Sequence, residues 1–121
     1  MAYEVEITDE FNNWWDLLTE PQQEALSARV ELLERLGPTM HRPYSGEIVG
    51  SASDPRMKEL VCDVGAAHIR VLYTFDPRQV AILLLGGDKT GNWKEWYSEN
   101  IPAADDLYKD HLKQLTEEGL I

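Results

Sequence analysis

Lys58-Glu59-Leu60-Val61-Cys62-Asp63-Val64, a Gly65-Ala66-Ala67 turn, and His68-Ile69-Arg70-Val71-Leu72-Tyr73-Thr74-Phe75 form the stretch that decides the fold. Two runs rich in branched and aromatic residues flank a small-residue turn, which is the pattern of a β-hairpin. Asp76-Pro77-Arg78-Gln79 is turn chemistry, and Val80 to Leu85 supplies a third strand, so the centre of the chain reads as an antiparallel meander. Gly86-Gly87-Asp88-Lys89-Thr90-Gly91-Asn92 is expected to break that third strand. Alternation puts Ile69, Val71, Tyr73 and Phe75 on one face, to be covered by helices, and His68, Arg70, Leu72 and Thr74 on the other. If all helices pack on the first face, Arg70 stands on an uncovered one. There it is either paired with Glu59 or Asp63 of the neighbouring strand or aimed at an anionic ligand, since guanidinium suits bidentate phosphate contact.

Toward the N-terminus, Tyr3-Glu4-Val5-Glu6-Ile7 alternates as a half-buried strand does. Thr8 or Asp9 can cap a helix in which Phe11, Trp14, Trp15 and Leu18 share a face. Thr19-Glu20-Pro21-Gln22 is a capping box that opens a second helix, with Leu26, Arg29, Val30 and Leu33 on one face and Gly37-Pro38 at its end. Pro38 to Pro55 is rich in Pro, Gly and Ser and reads as loop, with a short strand at Glu47-Ile48-Val49. Toward the C-terminus, Trp93, Trp96 and Tyr97 start a helix that Pro102 should interrupt or kink, and Ala104, Leu107, Tyr108, His111, Leu112 and Leu115 continue its apolar stripe. The fold class is α+β: an N-terminal strand and two-helix hairpin packed on an antiparallel β-meander, then a C-terminal helix, over one domain of residues 1–121.

The chain has 121 residues, 43% hydrophobic and 27% charged, which fits one folded domain and argues against disorder. A single cysteine, Cys62, and no CxxC or His/Cys cluster leave no disulfide and no metal-ligand spacing, as in a reducing, cytoplasmic setting. No signal peptide or membrane span is visible. The formal net charge of −11 opposes loose binding to polyphosphates or anionic membranes. That charge is unevenly spread, however. Residues 1–39 carry nine acids and two bases, residues 95–121 seven acids and two bases, and residues 40–94 six acids against seven bases. The helical ends own the acid excess, and the sheet with its loops is near neutral. Arg42, Arg56, Lys58, Arg70, Arg78, Lys89 and Lys94 are available there for a local cationic surface.

The same residues resemble a known family. Arg70-Val71-Leu72-Tyr73-Thr74-Phe75-Asp76-Pro77-Arg78, Leu83-Leu84-Leu85-Gly86-Gly87-Asp88-Lys89-Thr90-Gly91, the Trp96-Tyr97 pair, Met57-Lys58-Glu59-Leu60 and the Glu10-to-Trp15 helix start are similar to the HigB-like, phage-derived branch of the RelE/ParE toxin superfamily. The resemblance runs from Tyr3 to about Leu112. It implies the toxin of a type II toxin–antitoxin system: a ribosome-dependent mRNA endonuclease that needs no metal or other cofactor. Its partners would be the ribosome, mRNA and a cognate antitoxin, often a helix-turn-helix protein. It further implies that Arg70, Lys58 and Lys89 are catalytic, Arg70 clamping the scissile phosphate and the lysines supplying charge or a proton, with His68 as the imidazole acid or base. Arg56, Arg78 and Lys94 are then the RNA-binding residues. The family pattern often has an arginine after Lys-Glu-Leu, where this chain has Val61. A module that binds antitoxin without cleaving, and a ParE-like gyrase inhibitor, are the alternatives. Trp93, Trp96 and Tyr97 either close the core or form an aromatic surface for the antitoxin.

Overall fold

The computed structural model describes residues 2–53 and 55–121; within the loop read over Pro38–Pro55, Asp54 lies outside the described residues. The elements, in chain order, are β1 (Val5–Ile7), α1 (Asp9–Trp15), α2 (Glu20–Leu36), a 3-10 turn at Gly37–Thr39, β2 (Ser45–Glu47), β3 (Lys58–Val64), β4 (Ala67–Phe75), β5 (Ala81–Asp88) and α3 (Trp93–Glu117). They form a five-stranded sheet in the order β1-β5-β4-β3-β2. The central hairpin pairs as its sequence indicates, with Val64 opposite Ala67 and Lys58 opposite Tyr73. β4 and β5 pair antiparallel, and β1 lies parallel to β5 with Val5 opposite Ala81.

Local chemistry explains the helix starts. The Thr8 hydroxyl accepts the Phe11 amide at 3.0 Å and donates to the Leu84 carbonyl at 2.7 Å, so one side chain caps α1 and ties it to β5. At α2, Thr19 and Gln22 satisfy each other's backbone amides reciprocally, at 3.3 and 3.0 Å, as the capping box requires. α2 ends where Gly37, at φ 55°, takes the left-handed region and leaves room for the Tyr3 ring.

Helices cover both faces of the sheet rather than one. The first cluster joins Ile69, Val71, Tyr73, Phe75, Leu60, Cys62, Ala81 and Leu83 to Phe11, Leu26 and Leu33 of α1 and α2. The second joins Leu72, Ile82 and Leu84 to Ile48, Met57, and Ile101, Ala104 and Tyr108 of α3. The alternation along β4 was legible, but the second face is not open: the amphipathic stripe of α3 needs an apolar surface, and Leu72, Ile82 and Leu84 provide it.

Three further expectations are corrected. Pro102 neither ends nor interrupts α3, which runs 25 residues through it. Pro102 and Ser98, whose carbonyl it deprives of a donor, both lie on the exposed side. A proline in a helix interior costs about 3 kcal/mol, whereas burying each of Ile101, Tyr108 and Leu115 returns roughly 1.5–3 kcal/mol, so the helix continues. The short strand before β3 lies at Ser45–Glu47, not Glu47–Val49: Ile48 turns into the second core and Val49 is 90% exposed. Finally, β5 continues through Gly86 and Gly87 to Asp88. The two glycines act there as sockets rather than breakers. A Cβ on Gly86 would lie 2.2 Å from Trp14 on the α1 face, and one on Gly87 2.3 Å from the Trp96 indole nitrogen on the α3 face.

Candidate functional site

The site is built where β3, β4 and the end of β5 meet the first turns of α3. Arg70 is a buried arginine, 7% exposed, directly opposite Val61 on β3. Its Nη1 donates to Asp63 Oδ1 at 2.8 Å and to the Ile69 carbonyl at 2.9 Å, and its Nε lies 3.6 Å from Glu59 Oε1. Of the two readings open for Arg70, carboxylate pairing is the one present, and both candidate acids take part. Glu59 is buried too. Its Oε1 accepts the Tyr97 hydroxyl at 2.5 Å, so one carboxylate bridges the sheet arginine and the first turns of α3. Asp63 is half-exposed and also meets His68 Nδ1 at 3.0 Å.

Lys89 completes the group from the loop after β5. Its amide donates to the His68 carbonyl at 3.0 Å and its Nζ sits 5.4 Å above the Tyr97 ring. The loop is held by Asp88 and Thr90, whose side chains hydrogen-bond each other and both accept the His68 amide. Trp96, seated over Gly87, stands edge-on to Tyr97 with centroids 5.1 Å apart, and Trp93 meets Tyr97 at 6.5 Å. His68, Arg70 and Lys89 are thereby brought onto one face with Glu59, Asp63 and Tyr97.

Electrostatics follow from these contacts. The Arg70 guanidinium, seconded by His68, holds the Asp63 carboxyl below its ordinary value despite some burial. Burial, reinforced by the hydrogen bond to Glu59 and its charge, pushes the Tyr97 hydroxyl well above its ordinary value, so it stays a proton donor. Asp88 is lowered: burial alone would raise it, but the Thr90 hydroxyl and the Thr90 and His68 amides outweigh that.

The remaining sequence candidates lie elsewhere. Lys58 shares the face of Tyr73, opposite in the pairing, and so stands on the other side of the sheet from Arg70. Its Nζ donates to the Pro38 carbonyl at 3.0 Å, in a hollow of about 410 Å³ with His41, Arg42 and Ser45 on its walls. Arg56 is exposed and paired with Glu47 at 3.2 Å. Lys94 is exposed, with Nζ 5.5 Å from the Trp93 ring centroid. Arg78 sits past the far end of β4, where it binds Asp76 at 2.7 Å and Glu6 at 2.9 Å. Asp76, whose side chain is fully buried, also meets His111 of α3 at 2.9 Å and accepts the Arg78 and Val80 amides. Burial would raise the Asp76 carboxyl, and these donors, Arg78 first, hold it below its ordinary value instead. Among the described residues no group of three or more His, Cys, Asp or Glu side chains is placed to hold a metal ion, and no helix is long and apolar enough to cross a membrane.

Residues 13–109 match the family model described as phage derived protein Gp49-like (DUF891). The chain belongs to this family. Among its relatives, the Gp49-like chain is 42% identical over 99 residues to "Putative toxin HigB3" of Mycobacterium tuberculosis (strain ATCC 25618 / H37Rv), covering 82% of this chain and 84% of that one. It is 38% identical over 102 residues to "Putative toxin HigB2" of the same strain, covering 84% of this chain but 50% of the relative, so it spans half that protein's length. Its fold is shared with a doubly substituted E. coli toxin RelE in the free state, at TM-score 0.59 and 17% identity, over 82% of this chain and 94% of the other. A chain of the archaeal RelE-RelB complex from Pyrococcus horikoshii OT3 matches at TM-score 0.55 and 17% identity, over 76% and 99%. The Gp49-like chain is thus a homologue of these HigB toxins, and its fold is that of RelE.

Sequence reading missed Tyr97 as a site group and left Glu59 as one of two alternative partners. The signal for Tyr97 was present in the Trp93-Trp96-Tyr97 spacing, which puts Trp93 and Tyr97 one turn apart. What hid it was the assumption that α3 lay on the opposite face.

Proposed function

We propose that this Gp49-like chain, as one toxin domain over residues 1–121, is the toxin of a type II toxin–antitoxin pair. It cuts mRNA on the ribosome in the cytoplasm and is restrained by a cognate antitoxin of the helix-turn-helix kind. The observation that carries this reading is the gathering of Arg70, His68 and Lys89 on one face, around a guanidinium already oriented by Glu59 and Asp63. Those are the groups that phosphodiester transfer to a neighbouring hydroxyl requires. The ribose 2′-oxygen attacks phosphorus and gives up its proton to one basic group. Arg70 faces the charge that grows on the phosphorane, and the 5′-oxygen leaves with a proton from a second group. His68 and Lys89 fill the two proton-transfer roles.

The scissile phosphate takes the place of Asp63 on Arg70, because Asp63 is half-exposed, whereas Glu59 is buried and also held by Tyr97. Lys58 adds charge from the other face of the sheet, and Arg56 and Lys94 contact flanking phosphates. Arg78 contributes to RNA binding by exchanging Glu6 for phosphate. With so few cations on a chain of net charge −11, affinity for free RNA is weak and the ribosome delivers the substrate.

The test is expression in a bacterium with primer extension on translated messages. Growth arrest with codon-linked cuts is expected for the parent chain, and loss of both for Arg70→Ala. Undisturbed growth and intact messages for the parent chain would defeat the proposal. Two features favour a second reading, a module that binds antitoxin without cleaving: Arg70 is held by two carboxylates, and Val61 stands opposite it where the family resemblance leads one to expect an arginine. Codon-linked cuts would eliminate that reading.

A further inference from the structure

Among the described residues, Arg42 is the one arginine of the sheet and its loops that has no carboxylate. Arg56 is paired with Glu47, Arg70 with Asp63 and Glu59, and Arg78 with Asp76 and Glu6, whereas no ion pair or hydrogen bond engages the Arg42 guanidinium. Its position is nevertheless defined. Arg42 lies in the exposed loop before β2, and its guanidinium is folded back over Gly46: a Cβ on that glycine would stand 2.8 Å from Nη2, 2.9 Å from Cζ and 3.2 Å from Nη1. Strand parity fixes the side. The Ser45 hydroxyl meets the Tyr73 hydroxyl at 2.6 Å in the first core, so Gly46 faces the other way, in one row with Glu59 and Leu72. The guanidinium therefore lies on the Arg70 side of the sheet, one strand out from Glu59. Arg42 also borders the Lys58 hollow, because its loop turns round the outer edge of β2. The neighbouring acids are engaged elsewhere: Glu59 is turned to Arg70 and Tyr97, and Glu47 alternates to the Lys58 face and pairs with Arg56.

On a chain of net charge −11, an exposed guanidinium without an acid and seated over a strand backbone offers its donors to an anion from outside the fold. Arg70 pairs in the row of Val61 and Gly87, and Arg42 covers the adjoining row of Gly46, Glu59 and Leu72 on the same face. A phosphodiester chain that runs from β4 across β3 to β2 meets both. We propose that Arg42 holds a backbone phosphate on the β2 side of the one that Arg70 faces, so that the substrate strand crosses the sheet toward its β2 edge. This inference rests on the RNA-cleaving reading of the site and adds a second phosphate contact to it. Such a contact carries no base identity, so it strengthens substrate binding without sequence preference and makes that binding salt-dependent.

The experiment compares the parent chain with Arg42→Ala, Arg42→Lys, Gly46→Ala and Arg70→Ala in a translating extract on one defined message, with cuts mapped by primer extension and kcat and KM read separately. Binding of a single-stranded DNA oligonucleotide, which has no 2′-hydroxyl to react, is titrated alongside at several salt concentrations. For Arg42→Ala, loss of one exposed charge contact is expected to lower kcat/KM about twofold to about fivefold, carried by KM because the phosphate is held before and during the reaction alike. The slope of log affinity against log salt should fall by about 0.7. Arg42→Lys should lie between Arg42→Ala and the parent. Gly46→Ala keeps the charge but moves it, since the new methyl displaces the guanidinium; it should weaken cleavage in the same direction, and adding Arg42→Ala to it should cost little more. Thermal unfolding of Arg42→Ala should match the parent. If Arg42→Ala cuts with parental kcat/KM while Arg70→Ala does not cut, the subsite is refuted and the nuclease reading stands. If Arg42→Ala cuts less but binds the oligonucleotide with the parental salt slope, the guanidinium serves the ribosome instead of the substrate strand, and the inference is equally overturned. If the parent chain makes no cuts, the nuclease reading falls and takes the subsite with it.

Discussion

Gly87→Ala is the sharpest test of how the sheet positions the site. Gly87 is not in a left-handed conformation, so the added methyl brings no backbone strain; its whole effect is spatial. The new Cβ would stand 2.3 Å from the Trp96 indole nitrogen and 2.9 Å from the adjoining ring carbon. Ordinary contact needs about 3.5 Å or more, so the indole must retreat by more than 1 Å. Trp96 is an α3 side chain stacked edge-on against Tyr97, and therefore cannot retreat alone. Forced overpacking of this kind costs typically 1–3 kcal/mol, or about 4–12 °C in Tm for a domain of this size at roughly 4 °C per kcal/mol. Gly86→Ala is the matched control. Its Cβ would meet Trp14 at 2.2 Å on the other face, so a similar loss of Tm is expected without disturbance of Tyr97. Calorimetry measures the first effect, and the near-ultraviolet pH titration of tyrosinate the second. The raised Tyr97 titration should move back toward the ordinary tyrosine range in Gly87→Ala but not in Gly86→Ala. Trp96→Leu combined with Gly87→Ala should recover part of the loss in a double-mutant cycle. A Gly87→Ala protein that melts within 1 °C (about 0.25 kcal/mol) of the parent would refute the socket argument.

Two further outcomes are expected. Asp76→Asn should destabilise by about 3 kcal/mol, because the fully buried carboxylate serves Arg78, His111 and two backbone amides at once. The folded state holds this carboxyl below its unfolded value, so the stabilisation is complete above the unfolded value of about 3.9 and lost as pH falls through the lower folded one. The Tm gap between parent and Asp76→Asn, measured from pH 7 downward, should accordingly stay constant to about pH 4 and narrow below it. Asp63→Asn removes the half-exposed carboxylate that, in the proposed exchange, gives way to phosphate on Arg70. A screened pair of this kind is worth up to about 1 kcal/mol, so message cleavage in a translating extract should rise by up to about fivefold, and a fall would contradict the proposed exchange.

Much of the molecule was legible along the chain because its signals are local. The Thr8 cap, the Thr19-Gln22 box and the bounds of β3 depend on neighbours within a few residues. The strand alternation that sorted Ile69, Val71, Tyr73 and Phe75 from Arg70 and Leu72 is equally local. Long-range choices were not readable. Nothing near Pro102 says that Leu72, Ile82 and Leu84 wait to receive α3, and so neither its continuity nor its face could be inferred. The sockets at Gly86 and Gly87 are filled by tryptophans from two distant helices, so the pair resembled a strand end. The candidate site was half-visible for the same reason. Arg70, Glu59 and Asp63 sit within one hairpin, whereas Tyr97 arrives from α3, and strand parity places Lys58 with Tyr73 on the other face from Arg70.

The parallel contact of β1 with β5 also carries a kinetic meaning. Val5 finds its partner at Ala81, and Thr8 reaches Leu84, 76 residues later. Closing so long a loop is entropically slow, and it cannot start before β5 exists. The face bearing Arg70 waits longer still, since Tyr97 must follow before Glu59 has its second partner. During synthesis the sheet therefore stays unclosed until β5 is available and the candidate site unassembled until α3 follows.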